Sequence, residues 1–124
     1  MARIMKIGVD SSEGFFKRSL ERARKLDRGE KLLAEMRVTF ENPADLMRAV
    51  TAKRVELISA IRKQPAALSE LAQTLKRDRA AVDRDVKVLV SLGLVKTVWQ
   101  PNPGHGRKKI VQPLASKYEL VAVI

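Results

Sequence analysis

Residues 68–93 read LSELAQTLKRDRAAVDRDVKVLVSLG, and the reading of this stretch decides the fold. Over Leu68 to Leu75, Leu71, Ala72 and Leu75 share one helical face, and Ser69 is placed to act as an N-cap. Lys76-Arg77-Asp78 reads as a tight polar turn, with Asp78 set to cap a second helix running from Arg79 to Leu92. Val82, Val86 and Leu89 form the inner stripe of that helix. Gly93 follows as the residue after the cap, where the backbone needs a positive φ. Two amphipathic helices joined by a short turn, with small Ala72 where they approach, have the order of a helix-turn-helix. Arg79, Ala80, Asp83, Arg84 and Lys87 fall on the outward face of the second helix. A helix of this diameter fits the major groove of B-DNA.

Downstream, Leu94 to Trp99 and Ile110 to Gln112 are β-like, and Trp99 reads as a packing residue at the base of the hairpin they form. The loop between them, residues 100–109, is rich in turn residues. It carries His105 and ends in Arg107, Lys108 and Lys109. Lys117 to Ile124 is apolar enough for a last strand. Upstream, Thr51 can cap a helix holding Val55, Leu57, Ile58 and Ile61, which Pro65 ends. Asn42 and Pro43 open a shorter helix with Leu46, Met47 and Val50 as its buried face. Met36 to Phe40 alternates like a strand. The first ten residues fit either a short edge strand or a loose arm. From Ser12 a charged helix follows, with Phe15, Phe16 and Leu20 on a narrow stripe and Gly29 as a break. Such a helix cannot hold itself together in water and must pack on the domain or on another chain.

The expected fold class is therefore mainly α with a small β wing: a winged helix-turn-helix over residues 36–124, preceded by an arm and interface helix over 1–35. The charge fits this arrangement. The 124 residues hold 25 Lys and Arg against 14 Asp and Glu, a formal charge of +11. Met1 to Val50 nets +3 and Thr51 to Ile124 nets +8. An excess this large, concentrated in the second part, points to a polyanionic partner, nucleic acid first. The absence of Cys excludes a disulfide scaffold, a thiol nucleophile and a cysteine zinc site, and one His makes a histidine metal centre a poor expectation. No apolar stretch has bilayer length and no signal peptide is legible at the N-terminus, so a cytoplasmic protein without a membrane partner is expected. Gly104-His-Gly106 reads as a turn. Asp83 and Asp85, two apart on a helix, point in different directions. No nucleophile–base pair stands out, so neither an enzyme nor a cofactor is expected.

Leu68-Ser-Glu-Leu-Ala72, then Arg77 to Leu89, then Gly93-Leu-Val95 resemble the MarR/ArsR-type winged-helix regulators of bacteria and archaea. With the preceding Arg37 to Leu46, the likeness extends to short predicted transcriptional regulators and covers about Met36 to Ile124. The resemblance implies a dimeric DNA-binding repressor or, in some members, an antitoxin-like autoregulator. Asp83 stands where the family commonly has Ser or Thr; a carboxylate there repels phosphate but accepts from a cytosine amino group. The expected DNA-contacting set is Ser69, Lys76, Arg77, Arg79, Ala80, Asp83, Arg84, Lys87, His105, Arg107, Lys108 and Lys109. The expected dimer interface is Phe15, Phe16, Leu20, Tyr118 and Leu120, with the terminal strand alternatively pairing inside one chain against Met36 to Phe40. The rival expectation is a protein-interaction module that docks a partner such as a toxin through its N-terminal helix.

Overall fold

A computed structural model of the chain describes residues 3–9, 12–30 and 34–122, the side chains at 12, 13, 15 and 34 excepted. Val82, Val86 and Leu89 have no accessible surface. They lie on one stripe of α5 (Arg79–Ser91), which packs on α4 (Leu68–Leu75) and, through Leu57 and Ile61, on α3 (Ala52–Lys63). The spacing of apolar residues thus becomes the centre of the core, which Leu71, Leu94, Val95 and Val111 complete. The chain leaves α5 through Leu92 and Gly93. Gly93, at φ +76°, donates to the Val90 carbonyl at 3.0 Å, and Leu94 donates to Leu89 at 2.9 Å. The end of α4 is built the same way around Lys76. This residue takes the left-handed conformation at φ +52° while Arg77 N–H reaches back to Ala72 at 2.9 Å.

Two three-stranded sheets flank these helices. In the first, β1 (Arg3–Val9) lies between β2 (Ala34–Phe40) and β6 (Lys117–Val121), parallel to both. Helix α1 (Ser12–Asp27) is the β1–β2 crossover, and α2 (Pro43–Ala49) packs on the face carrying Met5, Ile7, Met36 and Val38. In the second, β5 (Arg107–Pro113) lies between β3 (Ala66–Ala67) and β4 (Val95–Pro101), antiparallel to both. Five helices and six strands among the described residues make the fold mixed α/β, which overturns the expected mainly α class. The physical reason is range. The parallel sheet joins strands from the two ends of the sequence, and pairing over such separations leaves no local periodic mark.

Several local readings hold. Asn42 caps α2, its Oδ1 accepting from Asp45 N–H at 2.9 Å, with Pro43 at the first position. Thr51 caps α3, accepting from Arg54 N–H at 3.3 Å. Others change. Ser69 is not an N-cap: the N-cap position is Ala67, two residues earlier, because β3 holds the chain extended against β5 up to that point. Asp78 occupies the N-cap position of α5 without a side-chain capping bond. Met47 is 62% exposed, since Leu46 and Val50 alone take the inner face of the seven-residue α2. The first strand is not an edge strand but the centre of its sheet, and β6 pairs with β1 rather than with Met36 to Phe40. Tyr118 fixes β6 to the rest of the chain: its hydroxyl donates to the Leu94 carbonyl at 2.6 Å and accepts from Leu114 N–H at 3.0 Å.

Candidate nucleic-acid interface

The pairing of Ala66 and Ala67 with Val111 and Ile110 pins the start of α4 beside the β4–β5 hairpin. The start of α5 comes to the same place. Between them lies an open concavity of about 420 Å³, lined by Ser69, Arg79, Trp99, Asn102, Arg107, Lys108 and Lys109. A helix start presents unpaired backbone N–H groups and the positive end of the helix dipole. With four cationic side chains around it against Glu70 in the first turn of α4, this concavity carries net positive charge.

The three consecutive bases are not loop residues. They form the first half of β5, with Arg107 opposite Pro101, Lys108 opposite Gln100 and Lys109 opposite Trp99. Strand alternation puts Arg107 and Lys109 on the face of Trp99 and Lys108 on the other. The Arg107 guanidinium lies 5.3 Å from the centre of the Trp99 ring. Trp99 is 60% exposed, so it is not the packing residue expected from the sequence. It sits beyond Thr97 and Val98, where the hairpin has already left the core. Lys108 Nζ stands 3.7 Å from Glu70 on α4, an exposed contact that tethers the hairpin only weakly. The turn closes through Asn102 N–H to the Gly106 carbonyl and His105 N–H to the Asn102 carbonyl, both at 2.8 Å, which leaves the His105 side chain exposed at the tip.

On α5, Arg79, Ala80, Arg84 and Lys87 are exposed, while half-buried Asp83 pairs with Lys87 at 3.1 Å. Lys76 is exposed in the preceding turn. Arg77 is placed differently: its side chain turns inward and Nη2 donates to Asp85 at 2.6 Å. The other oxygen of Asp85 accepts from Arg54 Nε at 3.0 Å, and Arg54 Nη1 donates on to the Ala49 carbonyl at 2.8 Å. Burial alone would raise the Asp85 pKa, but the hydrogen bonds from Arg77 and Arg54, with their charges, lower it below the ordinary 3.8. Asp85 therefore ties the end of α2, α3 and the α4–α5 turn together. Sequence reasoning missed this. Its signal was Asp85 lying two residues from the outward Asp83, hence on a different side of the helix. Arg79, Ala80, Asp83, Arg84 and Lys87 lie on α5, and Ser69, Arg79, Arg107, Lys108 and Lys109 line the concavity, whereas Lys76 at the end of α4, His105 at the hairpin tip and inward-turned Arg77 stand outside it.

Of the expected interface residues, the Phe15 side chain lies outside the described residues, and Phe16 (69% exposed) and Leu20 are exposed on α1. Leu120 is exposed on the edge strand β6. Tyr118 is engaged inside the chain. Among the described residues no cluster of His, Cys, Asp and Glu is arranged to hold a metal ion, and no helix is long and apolar enough to cross a membrane.

No curated protein matches the sequence. Among solved structures, a possible transcriptional regulator from Methanosarcina mazei Go1 is similar at 21% sequence identity and a TM-score of 0.49. That likeness covers 61% of this chain and 68% of that one. The sequence profile of the HVO_A0114 family matches residues 49–114, more than half of the chain, from the end of α2 to just past β5. On that match, the chain belongs to the HVO_A0114 family.

Proposed function

We propose that this protein binds double-stranded DNA sequence-specifically and acts as a transcriptional repressor, without catalytic activity or cofactor. In this reading α3, α4, α5 and the β4–β5 hairpin work as a winged helix-turn-helix of MarR/ArsR type. The observation that carries it is the convergence of Arg79, Arg107, Lys108 and Lys109 on one concavity beside the exposed face of α5. The concavity and Lys76 take phosphates, which fix register. Arg79, Ala80, Asp83 and Arg84 enter the major groove, where Asp83 can leave Lys87 to accept from a cytosine amino group. The protein works as a homodimer, since one small module has little surface for specific affinity and two half-sites lie about 34 Å apart. The exposed Phe16, Leu20 and Leu26 of α1 and the free edge of β6 at Leu120 offer the self-complementary surface.

Fluorescence anisotropy with random duplex, then with the protein's own upstream region, tests the reading. Affinity should fall roughly 10³–10⁵-fold between about 50 and 200 mM salt if 6–10 phosphates are contacted. Binding that is flat with salt would remove it. The same exposed α1 stripe favours one other reading: a protein-interaction module that docks a foreign partner through α1. A strict monomer that ignores palindromic duplex in sedimentation would favour that reading.

A further inference from the structure

The face of the β2–β1–β6 sheet turned toward α1 carries a cluster of charged residues at its middle. Lys6 on β1 and Arg37 on β2 are direct register partners, and like charges so placed repel. Glu35 is the carboxylate that reaches both, at 3.6 Å from Lys6 Nζ and 2.6 Å from Arg37 Nη2. Arg22 of α1 reaches the same group, with Nη1 at 3.5 Å. Three cations therefore share one carboxylate, a local excess of positive charge. Glu119 stands opposite Lys6 on β6, but pairs with Lys117 at 3.3 Å. Glu35 is only 16% exposed, whereas Lys6, Arg22 and Arg37 keep 30–43% of their side-chain surface open to an incoming anion. A concavity of about 200 Å³ opens beside it, lined by Arg18, Ser19, Arg22, Glu35 and Arg37. None of the described α1 side chains is buried.

We propose that this concavity is a binding site for a phosphoryl group, either free phosphate or the phosphate of a monoester, held by Arg22, Arg37 and the Ser19 hydroxyl, with Lys6 adding positive charge from the neighbouring strand. An anionic group matches that excess of positive charge. The two guanidinium groups offer paired donors at the geometry tetrahedral oxyanions accept. The concavity has room for a phosphoryl group while an attached organic part projects into solvent. Occupation clamps α1 to the sheet by bridging Arg22 to Arg37. The site stands apart from the α5 and hairpin residues and does not depend on DNA binding.

The test is an NMR titration of the full chain with inorganic phosphate, at a pH where it is a dianion, against chloride of matched ionic strength. Saturable one-site shifts are expected at Ser19, Arg22 and Arg37. Arg22→Gln, on an exposed helix that adds nothing to the core, and Arg37→Gln should each weaken binding about tenfold, as loss of a charge-assisted pair does. Glu35→Gln should tighten it about tenfold by removing the competing charge. Lys108→Ala with Lys109→Ala should leave it unchanged, which separates this site from the DNA-binding reading. Repeating the titration with glycerol 2-phosphate assigns the source: tighter binding than phosphate marks a monoester site, and equal or weaker binding a free-phosphate site. Shifts confined to the hairpin, wild-type affinity in Arg22→Gln, or weaker binding in Glu35→Gln would each overturn the proposal.

Discussion

Asp85→Asn should be among the most damaging single-atom changes in this chain. The Asp85 carboxylate is 14% exposed and accepts from Arg54 at 3.0 Å and Arg77 at 2.6 Å, whose side chains are 19% and 14% exposed. Asparagine keeps the shape but removes the charge and turns an amide N–H₂ toward one guanidinium. Among the described residues Arg77 Nη1 makes no hydrogen bond, and the side-chain acceptor of this arginine is Asp85. Breaking a buried pair from one side costs about 3–5 kcal/mol. Residual solvent access at the arginines reduces this to roughly 2–4 kcal/mol, or a Tm lower by about 8–15 °C. Urea denaturation followed by circular dichroism should show a lower midpoint at an unchanged slope. Asp83→Asn, on the exposed side of the same helix, should cost less than about 0.5 kcal/mol. The pH dependence has a definite sign. The folded pKa of Asp85 is lowered, so its contribution is fully present above the ordinary 3.8 and is lost as pH falls through the lowered value. The gap between wild type and Asp85→Asn should therefore close below that window. A variant within about 0.5 kcal/mol of wild type at neutral pH, or a gap that does not close in acid, would refute the reasoning.

Lys76 and Gly93 make opposite predictions. Lys76→Gly should stabilise by about 0.5–1 kcal/mol by relieving the left-handed backbone at φ +52°, whereas Gly93→Ala at φ +76° should destabilise by about 1 kcal/mol, both by urea midpoint. Tyr118→Phe leaves the Leu94 carbonyl and Leu114 N–H without their bridge and should cost about 1–2 kcal/mol. Burial raises the Tyr118 pKa above 10.0, so wild-type stability should begin to fall as pH rises past 10.0, a loss absent from Tyr118→Phe. Asp83→Ala should shift base preference by about 1–3 kcal/mol at one position, read by binding selection on a randomised duplex; an unchanged preference would take Asp83 out of the groove.

How much was legible follows the range of each interaction. The α4–α5 unit could be read because Leu71, Val82, Val86 and Leu89 repeat at helical spacing and Gly93 marks the exit. Asn42 and Thr51 were legible as caps because capping is a three-residue affair. The parallel sheet was not, since nothing local in Arg3–Val9 says that its partners lie at 34–40 and 117–121. That omission produced the mainly α expectation. At the candidate site, the outward face of α5 followed from its inner stripe. The fate of Arg77 did not, because Asp85, which captures it, lies two turns on, and Arg54, which shares that carboxylate, comes from another helix. Trp99 misled because an aromatic residue in a strand usually packs, while here the hairpin runs past the core before reaching it.

The central claim is that Lys108 and Lys109 contact phosphates while the α5 face reads bases. The most direct measurement is the slope of log affinity against log salt concentration for wild type and for Lys108→Ala with Lys109→Ala, on specific and random duplex. The account predicts a slope shallower by about one unit for each lysine lost per protomer, equally on both duplexes, with the ratio of their affinities unchanged. An unchanged slope, or an equal loss of sequence preference, would contradict it.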